Sequence, residues 1–175
     1  MQNTRKIFLG SNTPDGFVGW FDQIVDNYNL KRLYILKGGS GVGKSTFIKK
    51  FACALGGDTT FIMCSADPTS FDGAILHDHG VAIIDGTFPH ITDPKYPGMV
   101  EEIIDLAQFL ERSKIKISRS RLQNIMARRR NHFQRAFAEL EKARFLHHQV
   151  EGIFSSAMYF DGVEKLLNET IKKHK

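Results

Sequence analysis

The sequence contains few cysteines and no long apolar run, and these two absences limit what the protein can be. Its 175 residues include only two cysteines, Cys53 and Cys64, too few for a disulfide framework. We expect both to be buried, reduced thiols. No apolar stretch approaches the ~20 residues of a membrane-spanning helix, and the first seven residues lack the hydrophobic segment of a signal peptide. The sequence therefore predicts a cytoplasmic protein with no membrane partner.

Acidic residues are missing from one stretch, residues 112–135, and this absence makes the positive charge of the chain local. Nine of the 24 lysines and arginines lie there without one aspartate or glutamate, although the whole chain carries a net charge of only +5. Three interpretations remain open: the stretch binds nucleic acid through phosphates, it is a lid whose arginines close over a triphosphate, or it is a solvated face. It has no aromatic residue before Phe133, which argues against stacking on single-stranded nucleic acid.

The chain does contain a complete glycine-rich phosphate-binding motif, G-x-x-x-x-G-K-S. The apolar run 33–36 before it predicts a buried strand, and the amphipathic segment 45–55 after it predicts a helix. A strand, a glycine loop and a helix in this order direct backbone N–H groups and the helix dipole onto phosphate oxygens. The motif therefore predicts a nucleoside triphosphate site formed by Gly38, Gly39, Ser40, Gly41, Val42, Gly43, Lys44, Ser45 and Thr46.

Three side chains carry the chemistry in this hypothesis. We expect Lys44 to reach the β- and γ-phosphates, as a catalytic group, and the Ser45 hydroxyl to ligate Mg²⁺. Asp85 ends the apolar run 81–84, so it emerges at the carboxyl end of a predicted strand and offers a second metal ligand. A turn aspartate before glycine is the alternative interpretation. Position 86 is glycine, where many ATPase motors have a water-activating glutamate, so the chain needs another base or carries out different chemistry.

Two loops, 65–73 and 86–94, follow predicted strands and are candidates for active-site material. Phosphoryl transfer needs a carboxylate or histidine that orients the attacking water or hydroxyl. Asp67 and His90 are the catalytic candidates in these loops, with turn formation as the alternative for each. The N-K-x-D and T-K-x-D signatures of guanine recognition are absent from the chain, so the predicted nucleotide is ATP.

The wider pattern predicts an α/β fold with a P-loop NTPase-like, mostly parallel sheet flanked by helices and a C-terminal long-helix extension. Residues 1–111 form the predicted nucleotide-binding core, and residues 112–175 form a helical extension packed on it as one domain. Strands are expected at 6–9, 33–36, 60–64, 74–76 and 81–84. Helices are expected at 17–28, 45–55, 99–110 and 121–150, the last either as one long helix or as a hairpin. A final helix opens at Asp161, with Val163, Leu166, Leu167 and Ile171 facing inward.

Four segments, KGGSGVGKST, CSADPTSFDG, VAIIDGTFPHITDPKYPG and VEEIIDL, resemble in this order a group of bacterial P-loop ATPases found mainly in Firmicutes. These proteins are usually described as ATPase or nucleotide kinase, and the likeness extends from Phe8 to the final helix. Members carry two P-loop halves in tandem, and this chain resembles the first half. The resemblance implies a P-loop NTPase fold with residues 38–46 and Asp85 at the nucleotide. It also implies a homodimer or a second P-loop half as partner, and it supplies no substrate.

These observations lead to a Mg²⁺-dependent ATP hydrolase or nucleotide-dependent switch as the predicted function. In it, contacts to the γ-phosphate would order the two loops, and the helical half would relay the change. The alternative is a small-molecule or nucleotide kinase in which arginines of residues 112–135 act as a lid. A nucleic-acid-associated ATPase is a third class, and it rests on the basic stretch alone.

Overall fold

The computed structural model describes residues 3–174. Within them, six strands form one sheet in the order β1 (Thr4–Phe8), β5 (Thr59–Met63), β6 (Phe71–Leu76), β7 (Val81–Asp85), β4 (Arg32–Lys37) and β8 (Glu101–Asp105). Strand β6 runs antiparallel to both of its neighbours, and the other five strands are parallel to one another. A separate hairpin pairs β2 (Gly10–Thr13) with β3 (Gly16–Gly19).

Four helices accompany the sheet in this part of the chain: α1 (Ile24–Tyr28), α2 (Lys44–Leu55), α3 (Arg119–Ala157) and α4 (Phe160–Lys172). Short 3₁₀ turns occupy residues 21–23, 77–79, 106–109 and 112–114. The prediction of an α/β protein with a mostly parallel sheet, flanking helices and a long C-terminal helix is confirmed. No helix among residues 3–174 is long and apolar enough to cross a membrane.

The core lies on both faces of the sheet because successive strand side chains point in opposite directions. On β4, Leu33 and Ile35 join a cluster with Ile24 of α1. Leu36 of the same strand joins a second cluster with Ile48 of α2. With the sheet covered in this way, the carboxyl ends of the five parallel strands share one edge. The loops that follow β5, β7 and β4 meet there, and this edge carries the candidate site.

The predicted helix at 17–28 is wrong in its first half, where β3 and a 3₁₀ turn precede the short α1. The reason is a contact made by the hairpin. The Phe17 ring packs across Gly10 and Gly19, and a Cβ built on Gly19 would lie 2.7 Å from the ring. Two glycines therefore make room for an aromatic ring, and this packing outweighs the helical spacing of the apolar residues.

The predicted helix at 99–110 is also wrong, because residues 101–105 form the edge strand β8 beside β4. The buried carboxylate of Glu101 accepts hydrogen bonds from the backbone N–H groups of Lys95 (3.1 Å) and Tyr96 (2.9 Å). These bonds fix the turn that leads into the strand. A buried carboxylate is tolerated when backbone donors satisfy it, and the pairing with β4 then continues the sheet.

The C-terminal region contains one continuous helix, α3, where the alternative was a hairpin. The inward orientation predicted for the final helix is wrong, since its apolar side chains are exposed in the described chain; they are Val163, Leu166, Leu167 and Ile171. Phe133 and Phe137 of α3 are half-buried, and Arg144 forms an ion pair with Asp15 of the hairpin at 3.1 Å. The division at residue 111 and the single-domain packing stay predictions.

The two cysteines differ from each other in environment. Both are free thiols, but Cys53 is exposed, so the prediction that it is buried is wrong. Its position on α2 faces solvent and not the sheet. Cys64 follows β5 and is half-buried, and burial raises the pKa of its thiol. Since the thiolate is the reactive form, that shift makes Cys64 a weak nucleophile.

Candidate functional site

The loop between β4 and α2 has the backbone shape that its glycines allow. Gly38, Gly41 and Gly43 adopt positive φ angles of 136°, 85° and 93°, which glycine enters without steric cost. At Gly38 a Cβ would also lie 2.8 Å from the side chain of Val42. The residue before α2, Gly43, offers no side-chain acceptor to the first helical turn. No capping side chain therefore competes with an anion for the N–H groups at this helix start.

Lys44 folds back over this loop. Its ammonium donates to the carbonyls of Gly38 (2.8 Å) and Gly39 (2.9 Å) and lies 3.5 Å from Oδ2 of Asp85. Both charged side chains are largely buried, with 10 % and 14 % of their surface exposed. The fold thus brings the predicted lysine, at the start of α2, and the predicted aspartate, at the end of β7, together. The ammonium is placed to exchange loop carbonyls for phosphate oxygens.

Ser45 and Asp85 supply the oxygen atoms that a hard divalent cation prefers. The Ser45 hydroxyl oxygen accepts hydrogen bonds from the N–H of Phe71 (2.9 Å) and the hydroxyl of Ser70 (3.0 Å). Oδ1 of Asp85 accepts the N–H (2.9 Å) and the hydroxyl (2.6 Å) of Thr87. These residues fit a magnesium site, provided that the Ser70 hydroxyl gives way. The Thr87 contacts also fit the turn interpretation of Asp85, and one residue can serve both purposes.

His90 lies at the same edge of the sheet, buried against Phe21, with ring centroids 4.6 Å apart. Its Nε2 is 3.2 Å from Oδ2 of Asp72, which begins β6 and is itself buried. Burial by itself lowers the pKa of His90, but the hydrogen bond and negative charge of Asp72, together with Asp85, raise it above the usual value. Metal-ligand atoms of Asp72, Asp85 and His90 all lie within 4.8 Å of one another. The structure therefore places His90 at the predicted site, where it contacts Asp72 and lies close to Asp85.

We expect His90→Ala to destabilise the fold by about 2–4 kcal/mol, because it removes a buried ring and leaves the Asp72 carboxylate without its partner. Urea unfolding of the purified variant measures this loss. His79→Ala is the matched control: His79 is exposed on the turn after β6, so its free energy of unfolding should change by less than about 0.5 kcal/mol. Equal effects of the two substitutions would contradict a structural role for His90.

Asp67 is placed differently from the other predicted catalytic residues. Its side chain is exposed, and Oδ1 accepts the N–H (3.0 Å) and the hydroxyl (2.6 Å) of Thr69. These two bonds hold the pKa of Asp67 below its usual value. Among residues 3–174 they are the only hydrogen bonds that this carboxylate makes. Turn formation accounts for these contacts, and a catalytic role for Asp67 stays a prediction.

Three residues at this edge were not among the predicted site residues: Lys37, Asp72 and Arg129. Arg129 of α3 donates from Nη1 to the Ser40 hydroxyl at 3.1 Å, and its place in the basic stretch was the one signal for it. Asp72 belongs to a loop already singled out by its place after a strand. Lys37 donates to the carbonyls of Gly86 (2.9 Å) and Thr92 (2.8 Å), and nothing in the sequence distinguishes it.

Position 86 lacks a side chain for a steric reason. A Cβ built on Gly86 would collide with the side chain of Ile35, and the carbonyl of Thr92 lies 3.3 Å from the same point. A glutamate directly after Asp85 therefore has no room in this fold. A general base at this position, as in many ATPase motors, is therefore excluded. Any base would have to come from another part of the site.

No family model matches the chain, and neither a curated protein nor a solved structure matches it. The resemblance to bacterial P-loop ATPases thus rests on the sequence motifs, and the function has to be argued from the geometry of the site.

Proposed function

We propose that this protein is a P-loop NTPase that binds ATP with Mg²⁺ and cleaves the bond between the β- and γ-phosphates. The observation that carries the proposal is the meeting of Lys44 and Asp85, 3.5 Å apart, at the glycine loop that opens α2. A cation, an oxygen ligand and a loop of backbone donors in one place are the parts that phosphoryl transfer requires.

The roles of the residues follow from their positions. Backbone N–H groups of residues 39–45 and the start of α2 hold the β-phosphate, since no side chain caps that helix end. Lys44 leaves the carbonyls that it now contacts and pairs with the γ-phosphate. Ser45 and Asp85 would hold Mg²⁺, which when bound neutralises part of the phosphate charge. Lys37 anchors the loop after β7 through Gly86 and Thr92, and this keeps the Asp85 strand end in position.

The contact between Arg129 and Ser40 favours the lid interpretation of the basic stretch for this one residue. An arginine that touches the phosphate-binding loop is placed to meet the triphosphate. Arg128 instead lines a surface groove with Asn131 and Arg135, which suits a solvated face. No observation among the described residues adds support for nucleic-acid binding. A homodimer or a second P-loop half stays a predicted partner.

Calorimetric titration of the purified chain with ATP, with and without Mg²⁺, tests this proposal, together with an assay for released phosphate. We expect saturable binding that Mg²⁺ strengthens and slow release of phosphate, because Gly86 leaves no room for the usual base. GTP should bind more weakly than ATP. Absence of ATP binding in the presence of Mg²⁺ would overturn the proposal.

Asp85→Asn tests the metal ligand within the same assay. The amide keeps the shape and the acceptor for Thr87 but loses the negative charge, so we expect Mg²⁺-dependent ATP affinity to fall about tenfold. Metal-free ATP affinity should change much less, or even rise, since a carboxylate repels the triphosphate. Equal losses with and without Mg²⁺ would show that Asp85 serves the turn alone. Asp93→Asn is the control, because that exposed carboxylate lies at the end of the same loop and pairs with Lys37.

A further inference from the structure

A cavity of about 360 Å³ lies beside the glycine loop and has no role in the proposed binding of ATP. Its volume falls in the lower part of the ~300–1,000 Å³ range of small-molecule sites. Several separate elements form its wall, including the hairpin, the loops after β5 and β7, the start of β6 and one side of α3. Because the wall draws on both the sheet edge and α3, the cavity exists only where these two parts meet.

The wall of this cavity is largely apolar and carries several aromatic rings. Four phenyl rings line it: Phe17, Phe88, Phe133 and Phe137. Such rings stack on flat ring systems, and the stacking contributes roughly 1–3 kcal/mol of binding free energy for each stacked base. The apolar wall therefore selects a planar ring.

The polar groups of the cavity point to the phosphate site. Arg129 lines the cavity and bonds to Ser40 of the glycine loop. Asp72 lines it as well, and a carboxylate oxygen of Asp72 lies within 4.8 Å of one of Asp85. A molecule in the cavity would thus have one polar end next to the place proposed for the γ-phosphate.

The lining offers an anionic occupant no basic side chain without a partner among the described residues. Arg129 bonds to Ser40, and His90 contacts Asp72. The carboxylate of Asp72 is buried and would repel a phosphate group at close range. Asn12 adds a neutral amide to the wall. The cavity therefore suits an uncharged molecule that carries hydroxyl groups.

We propose that the cavity is an acceptor site and that the protein transfers the γ-phosphate of ATP to a hydroxyl of a nucleoside-sized compound with a planar ring. This inference rests on the proposed binding of Mg²⁺ and ATP. In the reaction the acceptor oxygen forms a bond to the γ-phosphorus, and the bond from that phosphorus to the β–γ bridging oxygen breaks. The electron pair of that bond leaves with ADP, and the hydroxyl proton passes to the Asp72 carboxylate.

Asp72 is the catalytic residue in this scheme because it would touch the reacting hydroxyl. His90, which also lines the cavity, positions it through the 3.2 Å contact. Arg129 closes the boundary between acceptor and triphosphate, where water would otherwise compete with the hydroxyl.

The test uses the full chain with γ-labelled ATP, Mg²⁺ and, one at a time, adenosine, guanosine, cytidine, uridine, thymidine and glycerol. We expect label on at least one nucleoside, with ATP consumption at least about tenfold faster than without acceptor. Glycerol, which has hydroxyls but no ring, should not be labelled. ATP binding that persists while no nucleoside is labelled would overturn the acceptor site and leave the proposed function intact. Absence of ATP binding would overturn both, and label on glycerol alone would overturn the choice of a planar acceptor.

Two variants separate the parts of this proposal. Phe137→Ala should raise the nucleoside KM about tenfold with ATP affinity unchanged. Phe145→Ala, on an exposed position of the same helix, should change neither.

Asp72→Asn should lower kcat for transfer about 100-fold with the nucleoside KM unchanged. If Asp72→Asn does not fold, the Phe137 comparison decides, and an unchanged nucleoside KM in Phe137→Ala would contradict the site.

Discussion

We expect Lys44→Ala to lower ATP turnover at least about 1,000-fold while the protein stays folded. In the structure the ammonium is held by two loop carbonyls and Asp85, at 10 % exposure, so it is already desolvated next to the proposed phosphate site. Interactions of a preorganised cation with the charge of a transition state are worth about 10²–10³ in rate for a single donor. Here the same group also contributes to ATP affinity, and the two losses multiply.

The measurement is kcat/KM for phosphate release, in which the losses of rate and affinity multiply, with calorimetry for affinity and thermal unfolding for the fold. Lys50→Ala is the matched control, since Lys50 lies on the exposed side of the same helix. It should keep full turnover, and its stability should change by less than about 0.5 kcal/mol. Unchanged ATP affinity and turnover in Lys44→Ala would refute the assignment of the glycine loop.

The glycine loop and its two strands could be predicted because their signals are local. Apolar runs of four residues predict buried strands wherever helices cover both sheet faces, and β4 and β7 match the runs at 33–36 and 81–84. Glycines with positive φ at Gly38, Gly41 and Gly43 reflect a conformation that the motif itself requires. The sequence signals for this part of the structure all lie within the short segments 33–55 and 81–85.

The segments 17–28 and 99–110 were mispredicted because partners far along the chain decide their structure. The Phe17 ring needs Gly10 beneath it, and β8 needs β4, about 70 residues earlier, to complete its hydrogen bonds. Apolar spacing at i, i+3 and i+4 also occurs by chance in such segments. A helical period therefore indicates a helix only where no sheet edge competes for the same residues.

The pairing of residues within the candidate site also could not be predicted from the sequence. Asp72 of β6 and His90 of the loop after β7 lie 18 positions apart in sequence, and nothing in the chain order shows that they pair. Arg129 follows Ser40 by 89 residues, and the basic stretch offers nine equivalent candidates for that contact. Sequence patterns predict a class of chemistry, but the choice of one basic residue among nine requires the path of α3 over the sheet edge.

We expect Arg129→Ala to lower ATP turnover about 1,000-fold, at the lower end of the effect of an arginine that stabilises phosphoryl-transfer charge. Its guanidinium is the group of α3 that contacts the glycine loop, 3.1 Å from the Ser40 hydroxyl. Removing it takes a positive charge away from the γ-phosphate and opens the boundary to water. ATP affinity should fall far less than turnover, because Lys44 and the loop N–H groups still hold the nucleotide.

Arg128→Ala is the matched control, one position earlier on the same helix, where the side chain lines a surface groove with Asn131 and Arg135. A solvated face predicts no change for either substitution, whereas a nucleic-acid surface predicts similar losses of polynucleotide binding for both. A lid predicts a large loss of turnover for Arg129→Ala alone. The two adjacent arginines therefore distinguish all three interpretations of the basic stretch, because charge is equal at the two positions and only Arg129 contacts the glycine loop and lines the cavity beside it.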